Sequence, residues 1–361
     1  QGVLYMKVTI SQPLLSNVLG TVISGVNPRT TIPILNNVML EATGDRLKIA
    51  ATDLEVYIQS GAQAAVDEEG RTTLPARKFS QIINALPGED VVLETDEAQS
   101  TSISCGQSFL KILGIDADDF PEEENIEGKW MFSLPGAEFK KALSKVSYAA
   151  SLEDNRRVLN GTLLSIRSGI LTTVATDGRR LALVERPLEG EVPDDCDAIL
   201  PAKVVTELGK TLDSENNVSV EISEARASFA CDDTLITTKL VEGSYPNYKQ
   251  VIPSSFNNSA VFPRNTFMDV LNRVGMVVSE TSASIKVGLD KATATLSAQS
   301  AEFGEAKEPI EISYDDQPFE ISLNPNFLLE PLRKLECDQV VLQFNDQYSP
   351  VSISGDEGFL Y

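Results

Sequence analysis

The sequence predicts an α+β fold built three times over, as three homologous domains in tandem, each with two helices packed on antiparallel sheets. Helix-like apolar patterns open at Leu15, Phe139 and Phe267, each after a short strand and a Pro or polar turn. Leu19, Leu143 and Leu271 lie one turn further on, and the offsets are 124 and 128 residues. A second set of segments begins at Pro75-Ala76, Pro201-Ala202 and Asn324-Pro325, carries Phe79, Val205 and Leu328, and closes on Leu86, Leu212 and Leu335. Strand cores follow at Val92, Val218 and Val341, six residues on in every copy. A period near 125 residues is too long for a solenoid repeat and matches a whole domain.

The expected domains are residues 6–127, 128–254 and 255–361, with boundaries in polar or Pro-containing stretches. Six helices are expected at 13–26, 75–86, 135–150, 201–212, 263–278 and 325–335. Pro331 should kink or interrupt the last of them. Short alternating strands are expected at 46–51, 91–95, 161–166, 218–222 and 292–298, separated by turn signals such as Thr43-Gly44-Asp45, Pro87-Gly88 and Ser168-Gly169. The first two copies end on strands at 109–115 and 235–241. The third reaches Gly358-Phe359-Leu360-Tyr361 and stops, so part of its final strand and tail is expected to be missing. Met6-Lys7 resembles a natural start, which makes residues 1–5 an extension.

Composition narrows the function. A hydrophobic content of 42% lets each domain bury its own core. No apolar run approaches 18 residues, so no helical membrane span is expected. Cys105, Cys196, Cys231 and Cys337 have no close spacing and read as free thiols of a reducing cytosol. Histidine is absent, which removes His general bases, Ser-His-Asp triads and the commonest zinc ligand. The net charge of −23 argues against nucleic acid, because affinity for phosphate comes from Lys and Arg. The distribution of charge argues the other way. The six helical segments hold eleven Lys and Arg against four Asp and Glu, in a chain with 30 against 53. A solvated face explains one such helix, but sign inversion in five of six equivalent helices favours a positive face that holds a polyanion.

Three motifs carry no chemistry. Gly209-Lys210-Thr211 resembles the end of a phosphate loop, but Val204 stands where the earlier glycine is needed and the tripeptide falls inside a helix. The acidic run Asp116, Asp118, Asp119 with Glu127 resembles a calcium loop, but Pro121 replaces the turn glycine. Thr52-Asp53 and Thr176-Asp177 sit in equivalent places, so an inherited structural turn explains them better than acid–base catalysis.

Specific strings add a family resemblance. The segment 239–248 (KLVEGSYPNY), leading to Val251-Ile252-Pro253, resembles the signature of the bacterial DNA polymerase III β sliding clamps. RTTIPIL at 29–35, TDLE at 52–55, PARKF at 75–79 and ATDGRRL at 175–181 match in order, with DFP at 119–121 and LNG at 159–161. The likeness runs from Met6 to the end. It implies a head-to-tail homodimer whose six similar DNA-clamp domains close a ring, with helices lining the hole and sheets forming the rim. Duplex DNA would thread the hole without sequence preference, and the ring would tether the replicative polymerase with no catalytic site, metal or cofactor. The implied location is the cytoplasm, at the nucleoid.

Carried over by position, the DNA-facing residues implied are Arg29, Lys78, Arg156, Arg157 and Lys203. A hydrophobic cleft on the middle domain, reaching into the third, is implied at Leu159, Thr176, Gly178, Arg180, Leu181, Pro246 and Val251. It would receive short linear peptides from the polymerase, the clamp loader, repair polymerases and mismatch-repair factors. The dimer contact is implied at Leu110 and Ile112 on one side and Val277 and Val278 on the other. The sequence departs from the family at Arg179, where His is frequent, at Gln250, where Arg is common, and in lacking a terminal Met-Pro-Met segment. Two other readings are an acidic scaffold that binds proteins but not DNA, and a carboxylate-dependent enzyme.

Overall fold

The computed structural model describes residues 4–27, 29–124, 126–153, 155–190, 194–212, 215–279 and 283–361. Residues 1–3, part of the stretch read as an extension, lie outside the described residues, and the first strand already begins at Leu4. The helices are α1 (Gln12–Val22), α2 (Ala76–Ala85), α3 (Gly136–Val146), α4 (Arg157–Asn160), α5 (Ala202–Thr211), α6 (Arg264–Gly275) and α7 (Pro325–Leu332). Six of them are the repeat helices, and the one-turn α4 is new. Proline sets most of the starts, Pro13 in the first turn of α1 among them. Pro75, Pro201 and Pro263 cap α2, α5 and α6, and Pro325 occupies the first turn of α7, where the missing N–H costs nothing. Pro331 acts as a stop rather than a kink, since α7 ends at Leu332 instead of 335.

The chain divides into two compact units, and neither coincides with one repeat. One holds residues 1–140, 188–194 and 200–241. Its five-stranded sheet runs in the order Ala65–Glu68, Leu4–Ser11, Asp90–Asp96, Ser100–Cys105, Ser108–Leu113. Its eight-stranded sheet crosses from the middle repeat into the first. Thr234–Lys239 pairs antiparallel with Val56–Gln63, placing Thr234 opposite Ser60 and Thr238 opposite Val56.

The other unit holds residues 141–187, 195–199 and 242–361. Cys196–Leu200, Thr162–Arg167, Ile170–Thr176 and Leu181–Pro187 form one sheet, and the terminal strand Phe359–Leu360 joins its edge through Leu183 and Val184. Tyr361 also exchanges two backbone hydrogen bonds of 2.9 Å with Ile353. The last strand is thus two residues long, against six for Ser108–Leu113 and Thr234–Lys239, and it extends the middle repeat's sheet. Two further sheets come from the third repeat, in the orders Asn258–Pro263, Gln339–Phe344, Ser352–Ser354 and Gly304–Glu311, Thr293–Ser300, Ile285–Asp290, Phe319–Leu323. Two-residue turns join several of the hairpins. At Ser168-Gly169 both φ angles are positive, which suits the right-handed twist of the flanking strands.

The repeat is legible in the core. Phe79, Phe139 and Phe267 are fully buried, as are Leu15, Leu19, Leu143 and Leu271 to within 1%. One expectation is corrected. The buried strand positions after the second helices are Val91, Val218 and Val340, while Val92 and Val341 are half-buried on the opposite face. Two adjacent valines leave the alternation undefined by one residue, and the register turns Val91 and Val340 inward. In the third repeat Phe267 stacks on Phe262 with ring centroids 4.3 Å apart. Phe267→Ala should cost about 3–5 kcal/mol and lower the urea midpoint of the unit that holds it. An unchanged midpoint would show that this ring is not central to the core.

Candidate functional site

The two Thr-Asp pairs build the same turn twice. Thr52 Oγ1 donates to Val56 O at 2.9 Å, and Asp53 Oδ1 accepts from the N–H groups of Glu55 and Val56 at 3.1 and 2.9 Å. Thr176 Oγ1 donates to Arg180 O at 2.6 Å, and Asp177 Oδ1 accepts from Arg179 and Arg180 N–H at 2.8 and 3.0 Å. The third residue is left-handed in both, Leu54 at φ 74 and Gly178 at φ 86. These carboxylates are consumed in backbone capping, as a structural turn requires. Each second oxygen takes a cation. Asp53 Oδ2 accepts from Lys203 Nζ at 2.6 Å, and Asp177 Oδ2 accepts from Arg180 Nε at 3.1 Å.

The second turn forms one wall of a cavity of about 560 Å³ within the second unit. All seven residues expected at the cleft line it. Leu159 comes from α4, Thr176 from a strand end, Gly178, Arg180 and Leu181 from the turn, and Pro246 and Val251 from the linker before the third repeat. The Tyr245 hydroxyl accepts from Thr176 N–H at 3.1 Å, and burial pushes its pKa up to about 12, so it stays neutral. Arg180 is fixed from several sides. Its Nη2 donates to Tyr148 O at 2.8 Å, Glu330 pairs with it, and its guanidinium lies 4.7 Å over the Phe327 ring. Of the two residues that depart from the family, Arg179 lines the cavity, and exposed Gln250 closes a 3-10 turn at 248–250.

Sequence reasoning missed the wall from the third repeat. Asn324 and Phe327 at the start of α7, Gln347 and Val351 from a loop, and Leu360 and Tyr361 from the terminal strand complete the lining. Asn324 reads from the sequence only as a helix cap, which it also is, since its Oδ1 accepts from Asn326 N–H at 2.9 Å. Phe327 was visible as an aromatic beside the core positions of α7, but only the fold points it at Arg180.

The expected DNA-facing residues divide. Arg29, Lys78 and Arg157 are exposed and make no side-chain ion pair among the described residues. Lys203 is held by Asp53, and Arg156 by Glu153 at 3.1 Å and by Asp177 O at 3.0 Å. Arg29, Lys78 and Lys203 belong to the first unit, and Arg156 and Arg157 are neighbours in the second. Other helix cations are also spent locally. Arg273 grips Glu308, and Arg264 caps the carbonyl of Leu332 at the end of α7. The apparent positive excess of the helices is therefore larger than the free positive charge. Among the expected dimer residues, Leu110 and Ile112 are half-buried on an edge strand that exposes Phe109 and Leu113. Val277 and Val278 pack on their own core beside an exposed Met276.

A buried ion pair holds the terminal strand against the cavity. Lys145 of α3 pairs with Asp356, at side-chain exposures of 7% and 12%, and Asp356 also accepts from the N–H groups of Glu336 and Cys337. Burial works to raise the Asp356 pKa, but the bonds from Lys145 and the Glu336 backbone outweigh it and hold the carboxyl below its ordinary value. A depressed carboxylate stabilises fully above its unfolded value and loses that contribution as pH falls through the folded value. Lys145→Met should therefore cost about 3–5 kcal/mol at pH 7 by orphaning Asp356, with the loss shrinking as pH falls and the carboxylate protonates. Denaturation midpoints of both proteins across pH 3–7 check this, and a pH-independent difference would contradict it.

Comparisons with known proteins agree along the whole chain. Family models of the DNA polymerase III beta subunit match its N-terminal domain at residues 6–125, its central domain at 133–247 and its C-terminal domain at 249–359. The beta sliding clamp of Chlamydia pneumoniae is 31% identical over 356 residues, covering 99% of this chain and 97% of its own. That of Caulobacter vibrioides is 32% identical over 355 residues, covering 96% and 95%. The crystal structure of the Pseudomonas aeruginosa sliding clamp bound to griselimycin matches with a TM-score of 0.94 at 28% identity, covering 100% of this chain and 98% of that one. The Bacillus subtilis sliding clamp matches with a TM-score of 0.94 at 26% identity, covering 99% and 97%. The chain belongs to the DNA polymerase III beta subunit family, the beta sliding clamps, which act in DNA replication as processivity factors without catalysis of their own.

Proposed function

We propose that two copies of this chain join head to tail into a closed ring around duplex DNA, and that the ring tethers the replicative polymerase at the nucleoid. The observation that carries the ring is a pair of unpaired strand edges. Among the described residues, Ser108–Leu113 of the first repeat pairs on one side alone, with Ser100–Cys105, and Gly304–Glu311 of the third pairs on one side alone, with Thr293–Ser300. A free edge is a template for another chain. Joining the first repeat of one copy to the third repeat of the other is a heterologous contact, which closes a ring when the rotation permits. Leu110 and Ile112 on one side and Val277 and Val278 on the other supply apolar area at this contact. Phe109, Leu113 and Met276 are exposed by 68%, 73% and 75% and gain most from being covered.

Arg29, Lys78 and Arg157 hold the DNA by phosphate contacts that carry no sequence information, so the ring can slide. Lys203 and Arg156 contribute mainly by fixing the Asp53 and Asp177 turns, and they reach phosphate only by giving up those partners. The excess of acidic residues outside the helices discourages DNA from binding outside. The cleft at Leu159, Thr176, Gly178, Arg180, Leu181, Pro246 and Val251 receives short linear peptides of the polymerase, clamp loader, repair polymerases and mismatch-repair factors. Its apolar walls take the anchors, and its polar groups orient the backbone.

Two measurements test this reading. Leu110→Asp with Ile112→Asp should convert the dimer to monomers in sedimentation velocity, and a persisting dimer would contradict the interface. Neutralising Arg29, Lys78 and Arg157 together should lower the salt slope of DNA association by up to about 0.9 for each phosphate no longer neutralised, while the dimer remains. An unaltered salt slope would remove these residues from the DNA face.

A further inference from the structure

We propose that Lys141 and Lys334 form a phosphate site where the second and third repeats meet, and that filling it loosens the terminal strand. The inference rests on the reading of the chain as a ring with DNA against its helices. One stripe of α3 carries it. Lys141, Ser144, Lys145 and Tyr148, the last just beyond the helix end, follow the i, i+3, i+4, i+7 spacing of a single face. Lys141 Nζ meets Glu336 Oε2 at 3.1 Å, and Lys334 Nζ donates to Ser144 Oγ at 3.2 Å. Lys145 pairs with Asp356, and Tyr148 O accepts from Arg180 Nη2 at 2.8 Å. The stripe therefore runs from two exposed lysines, through a buried ion pair, to a guanidinium in the cavity wall.

The exposed end suits a phosphodiester. Ammonium groups from two repeats and a hydroxyl lie together there, and the Glu336 carboxylate, 62% exposed, competes with phosphate for Lys141. Once displaced, Glu336 is repelled by the phosphate, and its backbone cannot move alone. Asp356 accepts from the N–H groups of both Glu336 and Cys337, and a Cβ on Gly355 would lie 2.5 Å from Cys337 Sγ. Asp356 stands three residues before Phe359–Leu360, so a shift at Glu336 reaches the strand that walls the cavity. The interaction exchanged is one exposed ion pair, which limits the coupling to about fivefold. By linkage, a ligand that orders the terminal strand weakens phosphate binding by the same factor.

The test reads amide hydrogen exchange of residues 351–361 by mass spectrometry, in the protein alone and in the protein loaded on a nicked circular duplex. DNA should speed exchange in this segment, which holds the Ile353–Tyr361 amide pair, by about two- to fivefold. The strand Leu4–Ser11 of the other unit should exchange alike in both states. Glu336→Gln should exchange without DNA as fast as the wild type does with it, and DNA should then add nothing. The same variant should steepen the salt slope of DNA association by up to about 0.9, because Lys141 is freed for phosphate. Lys141→Gln should also exchange fast without DNA, but with a shallower slope. Wild-type exchange that DNA leaves unaltered, or a DNA effect that survives Glu336→Gln, overturns the proposal and leaves the ring standing. If the protein is not retained on the circle at all, the ring reading fails and the proposal with it.

Discussion

Main-chain pairing that continues past the ends of the repeats is the constraint on which the rest of this structure depends. A repeat of this size could close its own sheets and stand alone. Here the strand Thr234–Lys239 is completed by Val56–Gln63 of the preceding repeat, and Leu181–Pro187 is completed by the last residues of the following one. Backbone groups left unpaired at a buried edge are costly, so each such seam is held by an obligatory ladder rather than by a few side chains. The same logic gives meaning to two of the sheet edges that remain open among the described residues, Ser108–Leu113 and Gly304–Glu311. They are the places where the pattern can be continued by a second copy.

The terminal strand links this constraint to the cleft. Phe359–Leu360 adds to the middle repeat's sheet, and Leu360 and Tyr361 then form part of the cavity lining. Lys145 and Asp356 hold the turn before it, while Arg186 Nη1 donates to Glu357 O at 2.6 Å. The walls of the cleft therefore come from two repeats within one packed unit, and one of them depends on a buried ion pair. Such a pair adds little net stability compared with apolar packing, but breaking it leaves an uncompensated charge. That asymmetry makes Lys145 a positioning residue for the cleft without contact with its contents.

Much of this was legible in the sequence, and the failures have physical causes. Leu15, Phe139 and Phe267 announced the three repeats because a large buried apolar residue recurs at the same helix position only if its surroundings recur. The Thr-Asp turns were readable for a similar reason, since their side chains bond within five residues. Val92 and Val341 were misassigned because neighbouring valines satisfy either face of a strand, and only long-range pairing chooses. Lys203, Arg156 and Lys145 looked alike as helix or turn cations. Their partners Asp53, Asp177 and Asp356 are 150, 21 and 211 residues away, at distances no local pattern encodes. Phe327 and Tyr361 escaped notice for the same reason, because the third repeat supplies its half of the cleft through tertiary structure alone.

The central claim is that this chain holds DNA by enclosing it rather than by gripping it. The most direct measurement is the lifetime of the protein on a nicked circular duplex, after loading by its clamp loader, before and after the circle is cut once by a restriction enzyme. Enclosure predicts long retention on the circle and rapid loss from the cut DNA, by sliding off its ends, with the protein still dimeric. Equal lifetimes on circular and linear DNA would contradict it.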